Sequence, residues 1–416
     1  MASEASDRTG RVIVVGGGPV GLSAAIGLTR AGVATTLVTP SNLRSSAATA
    51  RPSAVSRTVA LFQPSLTLLE RLGVARIEPS APLAGIRIVD DMGGVLRAPE
   101  VLFHAADICA EAFGHNIPND ALEAALRTAL AACSGPLEWL DGDSVAALEV
   151  RTDGVTARLS SGRNLHGTLV IAADGRNSIC RTEAGISVRE HRYEQAAVTA
   201  SFTHQRAHHG ISTEFHRRSG PCTTVPLPGN ASSLVWVERP DEAARIAGLN
   251  DEAFAAELEV RLQGLLGPVS NIGPRGRFVL TWMQADTFAA SRVLLAGEAA
   301  HVIPPIGAQG LNLGLRDVGC LIDCVADAAA AGGDLGGASV LVAYQRARAT
   351  DIASRMTAVD ALNRSLLAGF LPVSLGRGIG LHAMRALPAL RRRVIGAGLW
   401  PPGELPRLMK PATNAA

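Results

Sequence analysis

The sequence predicts an α/β chain: a three-layer, doubly wound domain, an antiparallel sheet inserted into it, and a helical C-terminal tail. Three observations carry that expectation. Residues 11–38 read as strand, glycine turn, helix and strand, the opening of a doubly wound parallel sheet. From about 187 to 278 the pattern changes to short alternating runs separated by Gly and Pro, the signature of antiparallel strands. From 361 onward the pattern is helical, basic, and broken at Pro372, Pro388 and Pro401-Pro402. The expected division is 1–186 and 279–360 for the two parts of the large domain, 187–278 for the inserted sheet, and 361–416 for the tail.

Each element has its own signal. Arg11 to Val15 is a short apolar run, and Leu22 to Arg30 has helical spacing stopped by Gly32. Ala34 to Val38 reads as the second strand. Pro64 to Gly73 and Pro118 to Ala132 are amphipathic helices. Ile86 to Val89 and Val95 to Leu96 suggest a hairpin around Met92-Gly93-Gly94. Val145 to Val150 and Val155 to Leu159 suggest another, turning at Asp153-Gly154. Leu169 to Ala172 and Arg292 to Ala296 read as buried strands. In the inserted sheet the clearest runs are Ala197 to Phe202, Ile211 to His216 and Ser233 to Glu238, and helical signal returns at Asp251 to Leu266. Leu311 to Ala330 and Ser339 to Leu367 are long helices, with Ser339 a candidate N-cap.

The 416 residues are 47% hydrophobic and 18% charged, with a net charge of +2. That balance belongs to a globular chain and argues against a general nucleic-acid binder. The only lysine is Lys410, so a Schiff base, a Walker lysine and a mid-chain lysine base are excluded. The six cysteines are scattered; only Cys320 and Cys324 are close, one helical turn apart with no nearby His, and they read as small buried hydrophobes instead of ligands. No metal cluster is expected, because His204, His208 and His209 lack a carboxylate or Cys at ligand spacing and read as exposed loop histidines. No secretory leader and no apolar run of about 20 residues occurs, which points to a cytoplasmic protein.

Three segments carry nucleotide chemistry. Gly16, Gly18 and Gly21 follow the first strand and open the first helix. Glycines at this spacing allow a tight turn, close approach of backbone to a pyrophosphate, and close helix–strand packing, with the helix N-terminus facing the anion. The acid that commonly ends the second strand and holds a ribose hydroxyl is absent. Thr39 or Pro40 stands there, leaving Ser41 or Arg57 as candidates for that contact. In the second segment, Leu169 to Arg181, a strand delivers Asp174 and Gly175. In the third, Arg292 to Asp317, a strand ends at Gly297-Glu298 and a Gly/Pro loop leads to a helix starting near Gln309-Gly310. Glu298 is placed to accept hydrogen bonds from sugar hydroxyls, and that helix N-terminus to face an anion or a polarised carbonyl.

In this order the three segments resemble the FAD-dependent aromatic hydroxylases of the para-hydroxybenzoate hydroxylase fold, with the ubiquinone-biosynthesis branch nearest. Further matches lie at Arg57 to Leu61 with Leu69 to Gly73, Gly114 to Asn119 with Leu122, Gly220-Pro221 with Pro226-Leu227, Leu362-Asn363, and Arg377 to Leu390. The resemblance implies a Rossmann-type FAD domain held by Gly16, Gly18, Gly21, Arg57, Asp174, Gly175, Glu298, Gly307, Ala308, Gln309, Gly310, Leu311 and Asn312. It implies NAD(P)H as co-substrate and O2 transfer through a flavin C4a-hydroperoxide to a phenolic ring, most closely a polyprenylated ubiquinone precursor. Pro305 would shape the substrate side of the flavin, and His301 is a candidate acid or base. Two departures stand out: Glu298 where the family has Asp, and Gly307-Ala308-Gln309-Gly310 in place of Ala-Gly-Gln-Gly. No second strand–GxGxxG–helix unit is present for the nicotinamide. Two other functions fit the same features: a flavin oxidoreductase without oxygen insertion, and a non-catalytic FAD-fold partner in a biosynthetic complex.

Charge is unevenly placed. Between 361 and 410 stand seven arginines and Lys410 against the single acid Glu404, a net +7 that leaves −5 for the rest of the chain. Apolar residues lie beside those charges, at Leu381, Met384, Leu387, Val394, Ile395 and Leu399. A basic amphipathic end suits an anionic membrane surface, peripheral on an inner membrane, where a prenylated substrate would reside. The alternative is a helical pair packed on the core or on a second subunit, as a homodimer or within a biosynthetic complex.

Overall fold

The computed structural model describes residues 10–40, 57–92, 98–367 and 371–411, with backbone alone for 371–377. Its centre is a six-stranded sheet in which Val12–Val15 lies between Leu169–Ala172 and Thr35–Thr39. Leu137–Asp141 flanks Thr35–Thr39, and Val293–Leu295 flanks Leu169–Ala172, all of them parallel. Ala289–Ala290 closes one edge antiparallel. The strands Val12–Val15, Leu169–Ala172 and Val293–Leu295 are buried on both faces. This is why they read as continuous apolar runs instead of alternating ones.

Helix Pro19–Arg30 and the 22-residue helix Gln309–Ala330 pack against this sheet and each other. Their approach depends on small residues. A Cβ on Gly314 would come within 2.9 Å of Val20 and 3.2 Å of the Gly297 backbone. Helix Ala338–Leu367 lies along Gln309–Ala330. It starts one residue earlier than expected, so Ser339 sits inside the first turn instead of capping it.

The second sheet has nine strands and is larger than the expected insert. Its core is Val188–His204, Ala231–Glu238, Cys222–Leu227 and Ile211–His216, antiparallel in sequence-neighbour fashion. Gly85–Asp90 then joins it by parallel pairing with Ile211–His216 and carries Val101–His104 with it. On the other side Gly276–Ala285 pairs with Val188–His204 and, beyond it, with His301–Val302. A boundary at 278 therefore cuts a strand, and the sheet draws on both parts of the large domain. Gly85–Asp90 pairs across to Val101–His104; the expected partner at Val95 to Leu96 lies outside the described residues, as does Ser41.

The sheet's two faces differ. One packs Trp236, Phe202, Phe215 and Leu234 under helices Pro240–Ala247 and Asp251–Arg261, with Phe254 and Leu258 buried between them. The other carries Tyr193, Ala197, Val237 and Leu280, with Val235, Phe278 and Trp282 beside them, and turns toward the nucleotide domain. Thr58 donates to Ser233 on that face at 2.9 Å, and the Arg57 guanidinium stands 5.4 Å from the centre of the Phe278 ring.

The tail forms helices Leu371–Ala386 and Pro388–Leu399, folded back on the protein. Leu381, Ile395 and Leu399 are buried with Phe62, Phe103 and Phe113. Arg391 pairs with Asp107 at 3.1 Å, and Arg407 with Asp323 at 2.9 Å. The core-packed alternative thus describes the inner face of the tail. No helix among the described residues is long and apolar enough to cross a membrane.

Candidate functional site

The parallel pairing brings all three segments to one place. Gly16 follows Val12–Val15, Asp174-Gly175 follows Leu169–Ala172, and Gly297-Glu298 follows Val293–Leu295, on three adjacent strands at their carboxyl ends. That edge is where doubly wound sheets bind nucleotides.

The three glycines of the first segment have separate physical duties. Gly16 has φ +125°, and a Cβ there would sit 2.1 Å from the Ala173 carbonyl oxygen. At Gly21 a Cβ would sit 2.1 Å from the Gly16 oxygen. Both are needed for packing. Gly18 has an ordinary φ of −78°, and a Cβ there would meet nothing within 4 Å. Its open side is therefore the space for a ligand. Helix Pro19–Arg30 begins at Gly18 with no side-chain cap and no acid in its first turn, so the N–H groups of Gly18, Val20 and Gly21 are left for an anion.

A second open helix start faces the same edge. Gln309–Ala330 also lacks a side-chain cap and an acid in its first turn. The N–H groups of Ala308, Gln309, Gly310 and Leu311 belong to its unpaired start. Gly175, Gly307 and Gly310 likewise border open space. Ala308, the departure noted above, holds the left-handed conformation at φ +53°, where a Cβ costs roughly 1–2 kcal/mol relative to glycine. Pro305 stands in the turn closed by Ile306 N–H donating to Pro304 O at 2.7 Å, half-buried beside this start. These features fit FAD: an anion cradle at Gly18, a second helix dipole at Ala308, and open glycines between them. Glu298 is exposed, with no partner among the described residues, and is free to meet a sugar hydroxyl.

Several expected residues take other duties. The Asp174 carboxylate accepts from Ser178 Oγ at 2.5 Å and from Cys180 N–H at 3.1 Å, so it organises its own loop and the turn of helix that follows. The Asn312 amide is fully committed. Its Oδ1 accepts from Phe62 N–H and Ser65 Oγ, and its Nδ2 donates to Ala60 O and Ala308 O. As a side chain it clamps the helix start to the strand Thr58–Phe62, a correction to its expected role as a cofactor ligand. Gln309 donates to Gly307 O at 3.1 Å and to Gly398 O at 3.3 Å, tying the loop to the tail, while its Oε1 is buried without a hydrogen bond among the described residues.

His301 is also corrected. It is 2% exposed, and its Nε2 is held by Asp317 Oδ2 at 2.7 Å. The same carboxylate accepts from Gly297 N–H at 2.9 Å and from Arg348 Nε at 2.7 Å. Asp317 thus pins both ends of the Gly297–His301 turn to helix Gln309–Ala330, and His301 belongs to that clamp instead of to the reacting atoms. Burial pushes the Asp317 carboxyl up, but His301 and Arg348 outweigh it and hold the group below its ordinary value. Beyond Arg348 lies Asp351, which it reaches at 2.8 Å, and then Arg316 at 3.1 Å, whose guanidinium is pushed down to about 10 by burial. Arg355 continues the chain to Gly398 O at 2.8 Å.

The strand Thr35–Thr39 ends without an acid, and its neighbour supplies one. Thr39 Oγ1 donates to Asp141 Oδ1 at 2.7 Å, so a carboxylate stands at the end of the neighbouring strand. Of the expected loop histidines, His204 is buried and bonded to Arg206 O and Ser232 Oγ. Among the described residues, no group of His, Cys, Asp and Glu is placed to hold a metal ion.

This fold and site define an FAD-dependent aromatic hydroxylase. The chain belongs to the family described as FAD binding domain, which matches residues 9–359. It is similar to ubiquinone hydroxylase UbiL of Rhodospirillum rubrum, 34% identical over 93% of this chain and 89% of that one. It is 29% identical to the 3-demethoxyubiquinol 3-hydroxylase of Escherichia coli, over 92% and 97% of the two chains. Among solved structures, p-nitrophenol 4-monooxygenase PnpA from Pseudomonas putida has the same fold, with TM-score 0.73 and 20% identity over 94% of this chain and 98% of that one.

Proposed function

We propose that this hydroxylase adds one oxygen atom to the ring of a prenylated phenol, a precursor of ubiquinone, using O2 and NAD(P)H. The observation that carries the reading is the near full-length likeness to ubiquinone hydroxylases. It is supported by the apolar sheet face at Val235, Val237, Phe278, Leu280 and Trp282, which suits an apolar prenylated ring.

When bound, FAD supplies the redox chemistry that activates O2. The chain's own work is to hold and position. Gly18, Val20 and Gly21 N–H groups would bind the pyrophosphate, and Glu298 a sugar hydroxyl. The N-terminus of Gln309–Ala330 would stabilise negative charge developing on a flavin carbonyl. Pro304 and Pro305 would bound the substrate side, and the apolar sheet face would exclude water from the ring. With no second dinucleotide fingerprint, NAD(P)H would dock without a domain of its own. The test is NAD(P)H- and O2-dependent conversion of a short-chain 2-prenylphenol by the FAD-loaded protein to a product heavier by one oxygen. Uncoupled peroxide production, or reduction of prenyl double bonds, would point to the non-inserting oxidoreductase instead.

The tail's outer face would meet an anionic membrane. Arg385, Arg392 and Arg393 are exposed, have no carboxylate partner among the described residues, and lie beside the exposed Ile379, Leu387 and Val394. Each basic residue near an anionic surface contributes about 1 kcal/mol. Reversing all three to Glu should therefore lower partitioning onto vesicles of 30% phosphatidylglycerol in phosphatidylcholine by about 100-fold or more. Turnover of a water-soluble prenylphenol should be unchanged. Equal sedimentation of the two proteins would remove the membrane from the account, and a change in solution mass would assign the face to a second copy.

A further inference from the structure

The sheet face turned toward the nucleotide domain hides a small group of polar side chains that the binding of FAD does not use. His191 and Trp282 are directly paired across two strands and stack with ring centroids 5.2 Å apart. Tyr193 meets His191 edge-on at 4.7 Å. From the opposite side, helix Ala338–Leu367 contributes Asp360, which accepts from the Tyr193 hydroxyl at 2.5 Å, and one turn later Asn363.

Asn363 is 0% exposed, and its orientation is set by a chain of bonds. Ser219 O accepts from Gln195 Nε2 at 2.8 Å, which leaves Gln195 Oε1 as an acceptor toward Asn363 Nδ2, also at 2.8 Å. Among the described residues, Asn363 Oδ1 is then buried with no hydrogen bond, and so is Trp282 Nε1. A buried amide oxygen and a buried indole N–H left unmade each cost on the order of 1–3 kcal/mol. One is an acceptor and the other a donor, and they are linked through Tyr193, which is hydrogen-bonded to Asn363 and packs edge-on against the His191 ring that stacks on Trp282.

The location ties the group to the reaction. Trp282 packs against both the nucleotide-domain core and the sheet-face cluster. The next residue on its strand, Met283, pairs with Val302, two residues before the Pro304-Pro305 turn. The group thus stands where the two layers meet, beside the loop that would border the flavin ring.

We propose that Trp282 and Asn363 are specificity-determining residues that bind the oxygen substituents of the aromatic substrate, Trp282 Nε1–H donating to a ring oxygen and Asn363 Oδ1 accepting from a phenolic hydroxyl. Tyr193, held by Asp360, packs edge-on against the His191 ring beside them. This rests on the hydroxylase reading above and deepens it: the site distinguishes a phenol from a plain prenylated benzene by satisfying two buried atoms. Sites of this kind reject an analogue lacking the hydroxyl more strongly than they reject changes in apolar size.

The test compares FAD-loaded wild type with Trp282→Phe, which keeps an aromatic ring and removes the N–H, and Asn363→Leu, which removes the acceptor. The probes are a short-chain 2-prenylphenol and the matching prenylbenzene. Binding is read from the change in flavin absorbance, and folding from flavin content and melting temperature. Each variant should lose about tenfold in affinity for the phenol, with KM raised more than kcat is lowered, while affinity for the prenylbenzene stays at the wild-type value. Trp282→Phe with full flavin content and unchanged phenol-to-benzene discrimination would overturn the assignment, because an ordered water would then be what satisfies these atoms. If the wild type itself binds and hydroxylates no prenylphenol, the substrate reading fails, and this inference with it.

Discussion

Gly18→Val is expected to abolish FAD retention while leaving the fold intact. The reason lies in what surrounds that position. Its φ of −78° suits any residue, and a Cβ there meets no protein atom within 4 Å. The new side chain would fold without strain and occupy the space in front of the Gly18, Val20 and Gly21 N–H groups, where the pyrophosphate would sit. The apoprotein should melt within a degree or two of wild type, and FAD affinity should fall by at least about 100-fold, equivalent to roughly 2.7 kcal/mol. Gly16→Ala is the contrasting variant. There a Cβ would stand 2.1 Å from a backbone oxygen at a positive φ, so the expected loss is of folded protein. Wild-type flavin content in purified Gly18→Val would show that the first segment does not cradle the cofactor.

Asp317→Ala should have the largest effect on stability. It removes the common acceptor of Gly297, His301 and Arg348, and leaves the buried Arg348 with Asp351 alone. Breaking one side of a buried charge network costs about 3–5 kcal/mol, a large share of the ~5–15 kcal/mol of a typical domain. Denaturant unfolding of the apoprotein measures it, and a loss under about 1 kcal/mol would contradict the role assigned to the clamp. A pH dependence follows. The Asp317 carboxyl lies below its ordinary 3.8 in the folded protein. Its stabilisation is therefore complete above about pH 4 and is lost as pH falls through the folded value. The wild type should lose more stability than Asp317→Ala on acidification through that range.

The legible part of this protein was the part whose meaning is local. Each nucleotide segment follows an apolar run that is a strand, and each glycine that borders open space was visible as a glycine. Leu169 to Ala172 and Ile211 to His216 were read to the residue, because turn signals bound them on both sides. What escaped depends on partners distant in sequence. The family resemblance places Asn312 among the cofactor residues. Its four bonds go to Ala308 and to residues about 250 positions earlier, and no pattern announces them. His301 reads as a candidate acid or base in sequence, and the carboxylate that holds it, Asp317, lies on the following helix. The carboxylate beside Thr39 comes from Asp141, through a parallel pairing that sequence order does not reveal. The inserted sheet was recognised by its alternation. Gly85–Asp90 and the edge strand Val101–His104 were not assigned to it, since they lie before the insert: Gly85–Asp90 joins by parallel pairing and Val101–His104 adds to it antiparallel. The +7 tail was visible in composition, but its burial of Leu381, Ile395 and Leu399 against Phe103 and Phe113 was not.

The most direct test of oxygen insertion is isotopic. FAD-loaded protein, NAD(P)H and a short-chain 2-prenylphenol are incubated under 18O2, and the product is analysed by mass spectrometry. The account predicts a hydroxylated phenol carrying one 18O atom per ring modified, with the other atom in water. Product oxygen derived from solvent, or consumption of NAD(P)H with no oxygen in the ring, would contradict it.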